Sequence, residues 1–327
     1  MHKKVMASKK RLFKSFFRLL LPVVILLFVA AAASSIWLVH NAADAPKTGY
    51  LVTPEKYGLL STRAAQVTDE TWSNRDGTQA RGWLLRGREN APAIILLHRY
   101  GTDRSWMLDL GVKINEATDF TILMPDERGH GENPLVKKTS FGGCESDDVT
   151  AALDFLRGLK SASNNPLVGK DFGVYGVELG ALAAVSAASK NENVKALVID
   201  SAPRSSDEML ASVIGRRFPF ASSLTSKIAA GGTSLYYSTG NCYNHEPLCS
   251  VAKSIQNRKI LLLAGTDAPD FQDSTREVRN CFSDSNEIES KLDLTTSGYG
   301  FKNAPLAQSE VYERQVIDFF KKSLTNE

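Results

Sequence analysis

The stretch from Phe172 to Leu182 constrains the fold of this 327-residue chain more than any other. Apolar residues at its start are typical of a strand covered on both faces, and the small and apolar residues at its end are typical of a helix. Gly176 and Gly180 bracket the turn between them, where the lack of a side chain lets the backbone reverse sharply. Glu178 stands at the centre of that turn. A strand, a tight turn and a helix in direct succession predict an α/β domain.

Further apolar runs alternate with helical patterns along the chain. Short, continuous apolar runs indicate strands inside a parallel sheet, and they occupy residues 93–97, 120–125, 194–200, 259–264 and 288–294. Apolar residues at helical spacing occupy residues 106–117, 147–159 and 311–324. This alternation predicts a mostly parallel central sheet with helices on both faces. An Asp-Gly turn within residues 71–85 predicts a hairpin, and residues 203–257 interrupt the alternation as a short lid insertion.

The N-terminal region predicts one transmembrane helix. Residues 19–39 are apolar apart from two serines, and about 20 such residues span a bilayer. Residues 1–18 hold seven Lys or Arg side chains and no acidic one, which places this basic tail in the cytoplasm and the main domain in the periplasm or outside the cell. A cleaved signal peptide is the alternative, since residues 31–34 are small. Residues 40–65 are expected to be a tether, and residues 66–327 the α/β domain.

The charge composition and the apolar segment indicate which kinds of partner to expect. The net charge of +3 comes from the basic tail, so the rest of the chain is net acidic. A basic surface for nucleic acid is therefore not expected, and no motif indicates a cofactor. The membrane, reached through residues 19–39, is the partner that the sequence predicts, and the sequence names no protein partner.

All four cysteines lie beyond the apolar segment: Cys144, Cys242, Cys249 and Cys281. A domain outside the cytoplasm is in an oxidising compartment, where disulfides persist. Four cysteines allow three pairings, and the short separation of Cys242 and Cys249 makes a local pair one option. Four buried, unpaired thiols are the alternative. No spacing of Cys and His residues indicates a metal site.

Four motifs together resemble the α/β-hydrolase superfamily, from about Gly58 to Leu324. They are the segments 97–101 (Leu-His-Arg-Tyr-Gly), 126–131 (Asp-Glu-Arg-Gly-His-Gly), 176–180 (Gly-Val-Glu-Leu-Gly) and 265–267 (Gly-Thr-Asp). The branch that the chain resembles comprises membrane-associated esterases and serine-peptidase-like enzymes. The resemblance implies an α/β-hydrolase fold and a catalytic triad at the carboxyl edge of the sheet.

At the positions of that triad the chain departs from the pattern of these hydrolases. The turn has the spacing of a nucleophile elbow, Gly-x-Ser-x-Gly, yet Glu178 stands in place of the serine. Tyr299 stands where the resemblance places the histidine base, and no histidine follows His245. Asp267, or alternatively Asp270, corresponds to the acid. The resemblance therefore implies a degenerate triad at Glu178, Asp267 and Tyr299.

The cleft that the resemblance implies is expected to be lined by His98, Arg99, Tyr100, Glu178 and Leu179. Arg99 stands where these hydrolases have a glycine in the loop that binds an oxyanion. A helix N-terminus and its backbone N–H groups favour a negative charge. We therefore expect the Glu178 carboxylate to occupy that anion site and to pair with Arg99. Binding of a cationic or zwitterionic ligand, and unconventional catalysis, are the alternatives.

Several further polar residues near strand ends are expected to order loops rather than to react. The residues with this structural role are His98, Asp126, Arg128, His130 and Asp200. Glu145 and Asp148 precede an amphipathic helix and are expected to cap it.

The sequence predicts a pseudohydrolase, a binding or scaffolding protein that has lost serine-hydrolase catalysis. A serine nucleophile needs a base to accept its proton, and a tyrosine with an ordinary pKa of about 10 is a poor base at neutral pH. A small molecule or a peptide is the expected ligand of the cleft. The alternatives are an active hydrolase of esters or peptides with an unconventional site, and a purely structural envelope protein.

Overall fold

The computed structural model of the chain describes residues 2–59, 61–132, 134–219, 222–238 and 243–325. These residues contain one eight-stranded sheet. Its strands are β1 (Thr68–Ser73), β2 (Gln79–Leu85), β3 (Ala91–Leu97), β4 (Thr121–Pro125), β5 (Val168–Val177), β6 (Val194–Asp200), β7 (Lys259–Gly265) and β8 (Glu287–Leu294).

The strands follow the order β1-β2-β4-β3-β5-β6-β7-β8 across the sheet. β2 runs antiparallel to β1 and to β4, and the other neighbouring pairs are parallel. The predicted hairpin joins β1 to β2 around Asp76 and Gly77. The prediction of a mostly parallel sheet is therefore confirmed, with an antiparallel hairpin at one edge.

Helices alternate with the strands as the sequence pattern predicts. They are α1 (His2–Ala43), α2 (Pro54–Tyr57), α3 (Leu108–Thr118), α4 (Gly143–Gly158), α5 (Leu179–Lys190), α6 (Ser206–Arg217), α7 (Ser222–Tyr236), α8 (Leu248–Lys253), α9 (Pro269–Arg279) and α10 (Leu306–Leu324). The sequence pattern does not predict a helix at residues 269–279, because α9 is mostly polar and its buried apolar side chains are Phe271 and Val278.

The helices cover both faces of the sheet. Ile94 and Leu96 of β3 face the side that α3 and α10 cover, and Ile95 and Leu97 face the side of α4, α5 and α9. This alternation follows from the two-residue period of a strand. Two apolar layers therefore enclose the sheet and fix the carboxyl ends of its parallel strands at one common edge.

The insertion between β6 and β7 consists of α6, α7 and α8. A disulfide joins Cys249 in α8 to Cys281, which directly follows α9. A local pair of Cys249 with Cys242 is therefore wrong, because Cys249 is already bonded; Cys242 itself lies outside the described residues. None of the described cysteines is a free thiol.

The first helix is long and apolar enough to cross a membrane between Leu20 and Ala43. Its last turns are not free, since Leu38, Val39, Ala42 and Ala43 are buried in the same apolar cluster as α4 and α5. The Ser35 hydroxyl donates a hydrogen bond to the carbonyl of Ile228 in α7. The helix therefore continues past residue 39 and packs against the insertion.

Residues 44–57, within the segment expected to be a tether, also pack against the domain. The ring of Tyr50 lies 5.2 Å from that of Trp83, and the Thr48 hydroxyl donates to Asp103 over 3.0 Å. The backbone N–H of Leu51 donates to the Ser105 hydroxyl over 2.8 Å. These contacts show that residues 44–57 are an ordered part of the domain, because several of their groups bond to or pack against residues of the domain.

Candidate functional site: the glutamate elbow

The turn between β5 and α5 keeps the sharp geometry that its glycines predict. Glu178 has φ 53° and ψ −105°, a backbone conformation that residues with side chains rarely adopt. A Cβ atom on Gly176 would lie 2.2 Å from the carbonyl oxygen of Gly180. The turn therefore requires glycine at 176, and the surrounding fold holds Glu178 in a strained conformation.

The carboxylate of Glu178 is fully buried and has a partner for each oxygen. Its Oε2 accepts the backbone N–H of Tyr100 over 3.0 Å. Its Oε1 accepts from the Arg216 guanidinium over 2.7 Å. Burial raises the pKa of Glu178, while the charges of Arg216 and Arg99 and the Tyr100 hydrogen bond oppose that rise. We refer to Glu178, Tyr100 and Arg216 as the elbow site.

The predicted ion pair between Glu178 and Arg99 is wrong, because the salt bridge to Glu178 comes from Arg216. The Arg99 guanidinium instead lies between two aromatic rings, 4.9 Å from the centre of Trp106 and 4.6 Å from that of Tyr299. Stacking of this kind favours a planar cation. Arg99 thus contributes to the field around Glu178 without donating a hydrogen bond to it.

Arg216 was not identified from the sequence, although it is central to the site. It lies in the last turn of α6, and its side chain is 32% exposed. Its Nη1 atom donates to the Tyr299 hydroxyl over 2.7 Å. The only signal in the sequence is the doublet of Arg216 and Arg217 in a sparsely charged insertion, which does not reveal which residue each arginine meets.

Arg217 contacts the end of the first helix. Its guanidinium donates to the carbonyl of Asp44 over 2.8 Å and to the Tyr100 hydroxyl over 3.2 Å. That hydroxyl donates in turn to the carbonyl of Ala42 over 2.6 Å. Tyr100 therefore connects the elbow site, through its backbone N–H, to the end of the apolar helix, through its side chain.

Asp267 and Tyr299 follow β7 and β8, so the three predicted triad positions do meet at the carboxyl edge of the sheet. The Asp267 carboxylate accepts the backbone N–H of Ser297, with both oxygens at 3.0 Å. The Tyr299 hydroxyl is held by Arg216. Asp270 lies at the start of α9 and accepts from the Ser212 hydroxyl over 3.1 Å. The acid position and the base position thus have separate partners.

The loop that carries Tyr299 is ordered by Asp200 at the end of β6. The Asp200 carboxylate accepts from the backbone N–H of Gly298 and from the Tyr312 hydroxyl, each over 2.8 Å. Burial raises the pKa of Asp200 to about 7. This arrangement agrees with the expected role of Asp200 in ordering a loop.

The residues expected to line a cleft are mostly inaccessible. His98, Tyr100, Glu178 and Leu179 are buried, and Arg99 is half-buried. His98 bonds through Nδ1 to the carbonyl of Arg99 over 2.9 Å and through Nε2 to the N–H of Glu127 over 3.1 Å. A shallow pocket of about 70 Å³ remains nearby, lined among others by Arg216, Asp267, Asp270 and Tyr299.

A Ser-His-Asp arrangement occurs elsewhere, on the surface of the insertion. His245 lies between Ser234, whose Oγ is 3.4 Å from its Nε2, and Asp207, whose Oδ2 is 3.2 Å from its Nδ1. The side chains of His245 and Asp207 are 50% and 40% exposed. The order of atoms is that of a catalytic triad, and sequence reasoning did not identify it because the three residues are far apart along the chain.

No protein family matches the sequence, and no curated protein matches it either. Its fold does match solved structures. An esterase from Pyrococcus furiosus superposes with a TM-score of 0.60 and 18% identity, over 86% of this chain and 98% of the esterase. An alpha/beta hydrolase from Penicillium sp. sh18 gives a TM-score of 0.53 and 14% identity, over 79% and 99%.

A larger enzyme shares the same fold in part. The acylaminoacyl peptidase of Pyrococcus horikoshii matches with a TM-score of 0.59 and 14% identity, over 83% of this chain and 44% of the peptidase. These likenesses show that the chain has the α/β-hydrolase fold, as the motifs predicted.

Proposed function

We propose that this chain is a membrane-anchored, non-catalytic protein with an α/β-hydrolase fold. The observation that carries the proposal is the state of Glu178, whose side chain is fully buried. Its carboxylate already occupies the N–H group of Tyr100 and the guanidinium of Arg216. A substrate oxygen would need such donors to be free, so the elbow site serves as an internal ion pair.

The chemistry of the neighbouring residues supports the same proposal. A carboxylate nucleophile forms an ester intermediate, and its turnover requires a base that activates water. Tyr299 occupies the base position, and its hydroxyl is hydrogen-bonded to the cation Arg216. Asp267 is bonded to the backbone of Ser297 rather than to Tyr299. No described side chain at the elbow therefore supplies that proton transfer.

The cellular placement is part of this proposal. Residues 1–18 lie in the cytoplasm, and the segment 19–39 crosses the membrane with its exposed turns, while its last residues, Leu38 and Val39, pack in the domain. The domain lies in the periplasm or outside the cell. The excess of basic residues before the apolar segment supports this orientation. The disulfide between Cys249 and Cys281 supports an oxidising compartment.

A hydrolysis assay tests the loss of catalysis. Short-chain aryl esters and dipeptide anilides would be offered to the full chain in detergent, beside the variants Glu178→Ala and Glu178→Ser/Tyr299→His. We expect the wild type and Glu178→Ala to be equally inert, and the double variant to gain activity. Turnover by the wild type that Glu178→Ala abolishes would show that Glu178 is a working catalytic residue.

The second candidate is an active hydrolase of esters or peptides with an unconventional site. It is supported by the arrangement of Ser234, His245 and Asp207, and by the names of the solved structures that share the fold. In this candidate, His245 would accept the proton of the Ser234 hydroxyl and Asp207 would orient the imidazole.

The same assay separates the two candidates through a different pair of variants. Ser234→Ala would abolish turnover if the surface triad were catalytic, whereas Ser238→Ala, in the exposed turn that follows α7, would leave it unchanged. Activity that survives both Ser234→Ala and Glu178→Ala would exclude both sites.

A further inference from the structure

A second cleft lies on the other side of the His98 loop from the elbow. It is enclosed by the β1–β2 hairpin, the segment that follows β4 and the helix α4, and it has a volume of about 40 Å³. We call it the hairpin cleft. Arg216 and Tyr299 line a different pocket that shares no lining residue with this cleft, so the two sites are separate.

Unpartnered polar atoms are concentrated in the hairpin cleft. In the described part of the chain, six buried side-chain atoms without a hydrogen-bond partner belong to residues that line it. The donors are Trp72 Nε1 and Arg81 Nη2, and the acceptors are Asn74 Oδ1, His130 Nε2 and both carboxylate oxygens of Glu127. Buried polar groups in folded proteins nearly always have partners, so these atoms are the ones in the cleft that can bond to a polar ligand.

Each of these side chains uses one polar atom in a hydrogen bond within the protein or none at all, and its other polar atoms can bond to a ligand. His130 bonds through Nδ1 to the carbonyl of Arg128 over 2.7 Å, which leaves the lone pair of Nε2 as an acceptor. The amide nitrogen of Asn74 donates to the Thr78 hydroxyl over 3.1 Å, which leaves Oδ1. Glu127 Oε2 lies 3.6 Å from His98 Nδ1, but that nitrogen already bonds to the Arg99 carbonyl.

The charge of the lining favours a cation. Two basic residues line the hairpin cleft, Arg81 and Arg128, against four acidic ones: Asp126, Glu127, Glu145 and Asp148. Free acceptors outnumber free donors by four to two. Apolar side chains form much of the remaining wall, among them Trp72, Leu97, Val149 and Ala152. In the described residues, no group of three His, Cys, Asp or Glu side chains is arranged to hold a metal ion.

We propose that the hairpin cleft binds a primary amine that carries an apolar chain. The ammonium group donates to Glu127, His130 and Asn74, and the chain packs against Trp72 and Val149. An ammonium group has three donors and no acceptor, which matches a site whose free atoms are mostly acceptors. The apolar wall distinguishes this ligand from an inorganic cation.

Binding is coupled to the protonation of Glu127. Burial, together with the carboxylates of Glu145, Asp148 and Glu178, raises the pKa of Glu127, which favours its protonated form in the free protein. Beside it, His98 accepts the backbone N–H of Glu127 at Nε2, as a neutral imidazole does, and Arg128 pairs with Asp148. An arriving ammonium ion replaces that proton as the positive charge. Amine binding therefore releases the proton from the protonated fraction of Glu127, and affinity rises with pH.

Calorimetry of the full chain in detergent with n-pentylamine tests this proposal. The matched controls are 1-pentanol and pentanoate, which share the chain but lack the ammonium group. We expect saturable binding of the amine that is at least about tenfold tighter than that of either control. Titrations at pH 6 and pH 8, in two buffers of different ionisation enthalpy, should show proton release and tighter binding at pH 8.

Two variants assign that binding to Glu127. Glu127→Gln should weaken amine binding by about tenfold or more and remove the proton release. Glu132→Gln, an exposed neighbour outside the cleft, should bind as the wild type does. Amine binding weaker than about 1 mM, equal binding of the pentanol control, or unchanged binding by Glu127→Gln would each overturn the proposal. The buffer dependence of the wild type decides the question even if Glu127→Gln does not fold.

Discussion

The elbow site and the hairpin cleft lie at the same edge of the sheet, and each contains a buried glutamate. At the elbow, both oxygens of Glu178 have partners, and one of these is a cation. In the hairpin cleft, neither oxygen of Glu127 has a hydrogen-bond partner among the described residues. The glutamate at the position that the resemblance marks as reactive therefore has all its hydrogen-bond partners. The glutamate in the motif 126–131, to which no catalytic role was assigned, has none.

This difference shows that a sequence motif does not by itself identify a residue that is free to bind a ligand. Burial raises the pKa of both glutamates, so a perturbed pKa alone does not distinguish them. The distinction depends on whether the protein itself supplies the counter-charge. Arg216 does so for Glu178, whereas Glu127 is surrounded by the carboxylates of Glu145 and Asp148.

Removal of the cation at the elbow should have the largest effect. Arg216→Ala leaves a fully buried carboxylate without its counter-charge, and we expect the free energy of unfolding to fall by about 2 kcal/mol at pH 8. The loss should be smaller at pH 5. The variant raises the pKa of Glu178 further, and a carboxyl group with a raised pKa destabilises the folded state increasingly as the pH rises.

Chemical denaturation of the full chain in detergent at pH 5 and pH 8 measures this difference. Arg276→Ala is the matched control, because Arg276 pairs with Asp273 and Asp293 on an exposed surface. That change should cost no more than about 1 kcal/mol at either pH. If Arg216→Ala and Arg276→Ala lowered the free energy of unfolding equally, the pair of Glu178 with Arg216 would be no different from an exposed surface pair.

A substitution in the loop that carries Tyr299 should also be costly. A Cβ atom on Gly298 would lie 2.5 Å from the Tyr312 hydroxyl and 2.6 Å from the Tyr175 hydroxyl. Gly298→Ala should therefore lower the free energy of unfolding by about 1–2 kcal/mol, the lower part of the range for overpacking. Gly158→Ala, where the added Cβ meets no atom within 4 Å, is the control for denaturation and should not destabilise the chain.

The pH dependence of the free energy of unfolding tests whether Glu127 in the hairpin cleft lacks a counter-charge. The pKa of Glu127 is raised, so the wild type loses stability as the pH rises above the pKa that this group has in the unfolded chain. Glu127→Gln removes that loss. Its stability relative to the wild type should rise with pH, by at most about 1.4 kcal/mol for each unit.

Denaturation of both proteins at pH 5, 6 and 7 provides the comparison. A wild type and a Glu127→Gln variant with parallel pH profiles would mean that Glu127 is ionised in the folded chain and already has a counter-charge.

The smallest effect is expected where the elbow meets the apolar helix. Tyr100→Phe removes the hydrogen bonds to the Ala42 carbonyl and to Arg217, at a cost of about 1 kcal/mol. Hydrogen exchange at residues 38–45 should become faster. Tyr312→Phe, which removes a hydroxyl hydrogen bond to Asp200 in the other apolar layer, should leave exchange at residues 38–45 unchanged. Equal exchange in both variants would contradict the link between Tyr100 and the helix.

Local sequence patterns predicted the architecture because strand and helix periodicity depend on near neighbours. The order of β5, the turn at Glu178 and α5 follows from apolar residues and two glycines within a short stretch. The antiparallel hairpin likewise follows from its Asp-Gly turn. Similarity in the order of the motifs then placed Asp267 and Tyr299 at the same edge of the sheet.

Contacts between distant segments could not be predicted in this way. Arg99 is close to the elbow in the fold, yet its guanidinium stacks on Trp106 and Tyr299, and the salt bridge comes from Arg216 in the insertion. The packing of residues 38–45 against the domain was missed for the same reason, because an apolar run that crosses a membrane and one that packs on a protein have the same composition.

A double-mutant cycle between Glu178 and Arg216 tests the central claim most directly. The free energies of unfolding would be measured at pH 8 for the wild type, Glu178→Gln, Arg216→Gln and the double variant. An internal ion pair predicts a coupling energy of about 1–3 kcal/mol, so the double variant should be more stable than the sum of the single losses implies. A coupling energy near zero would contradict the account, because the elbow carboxylate would then be stabilised without its cation.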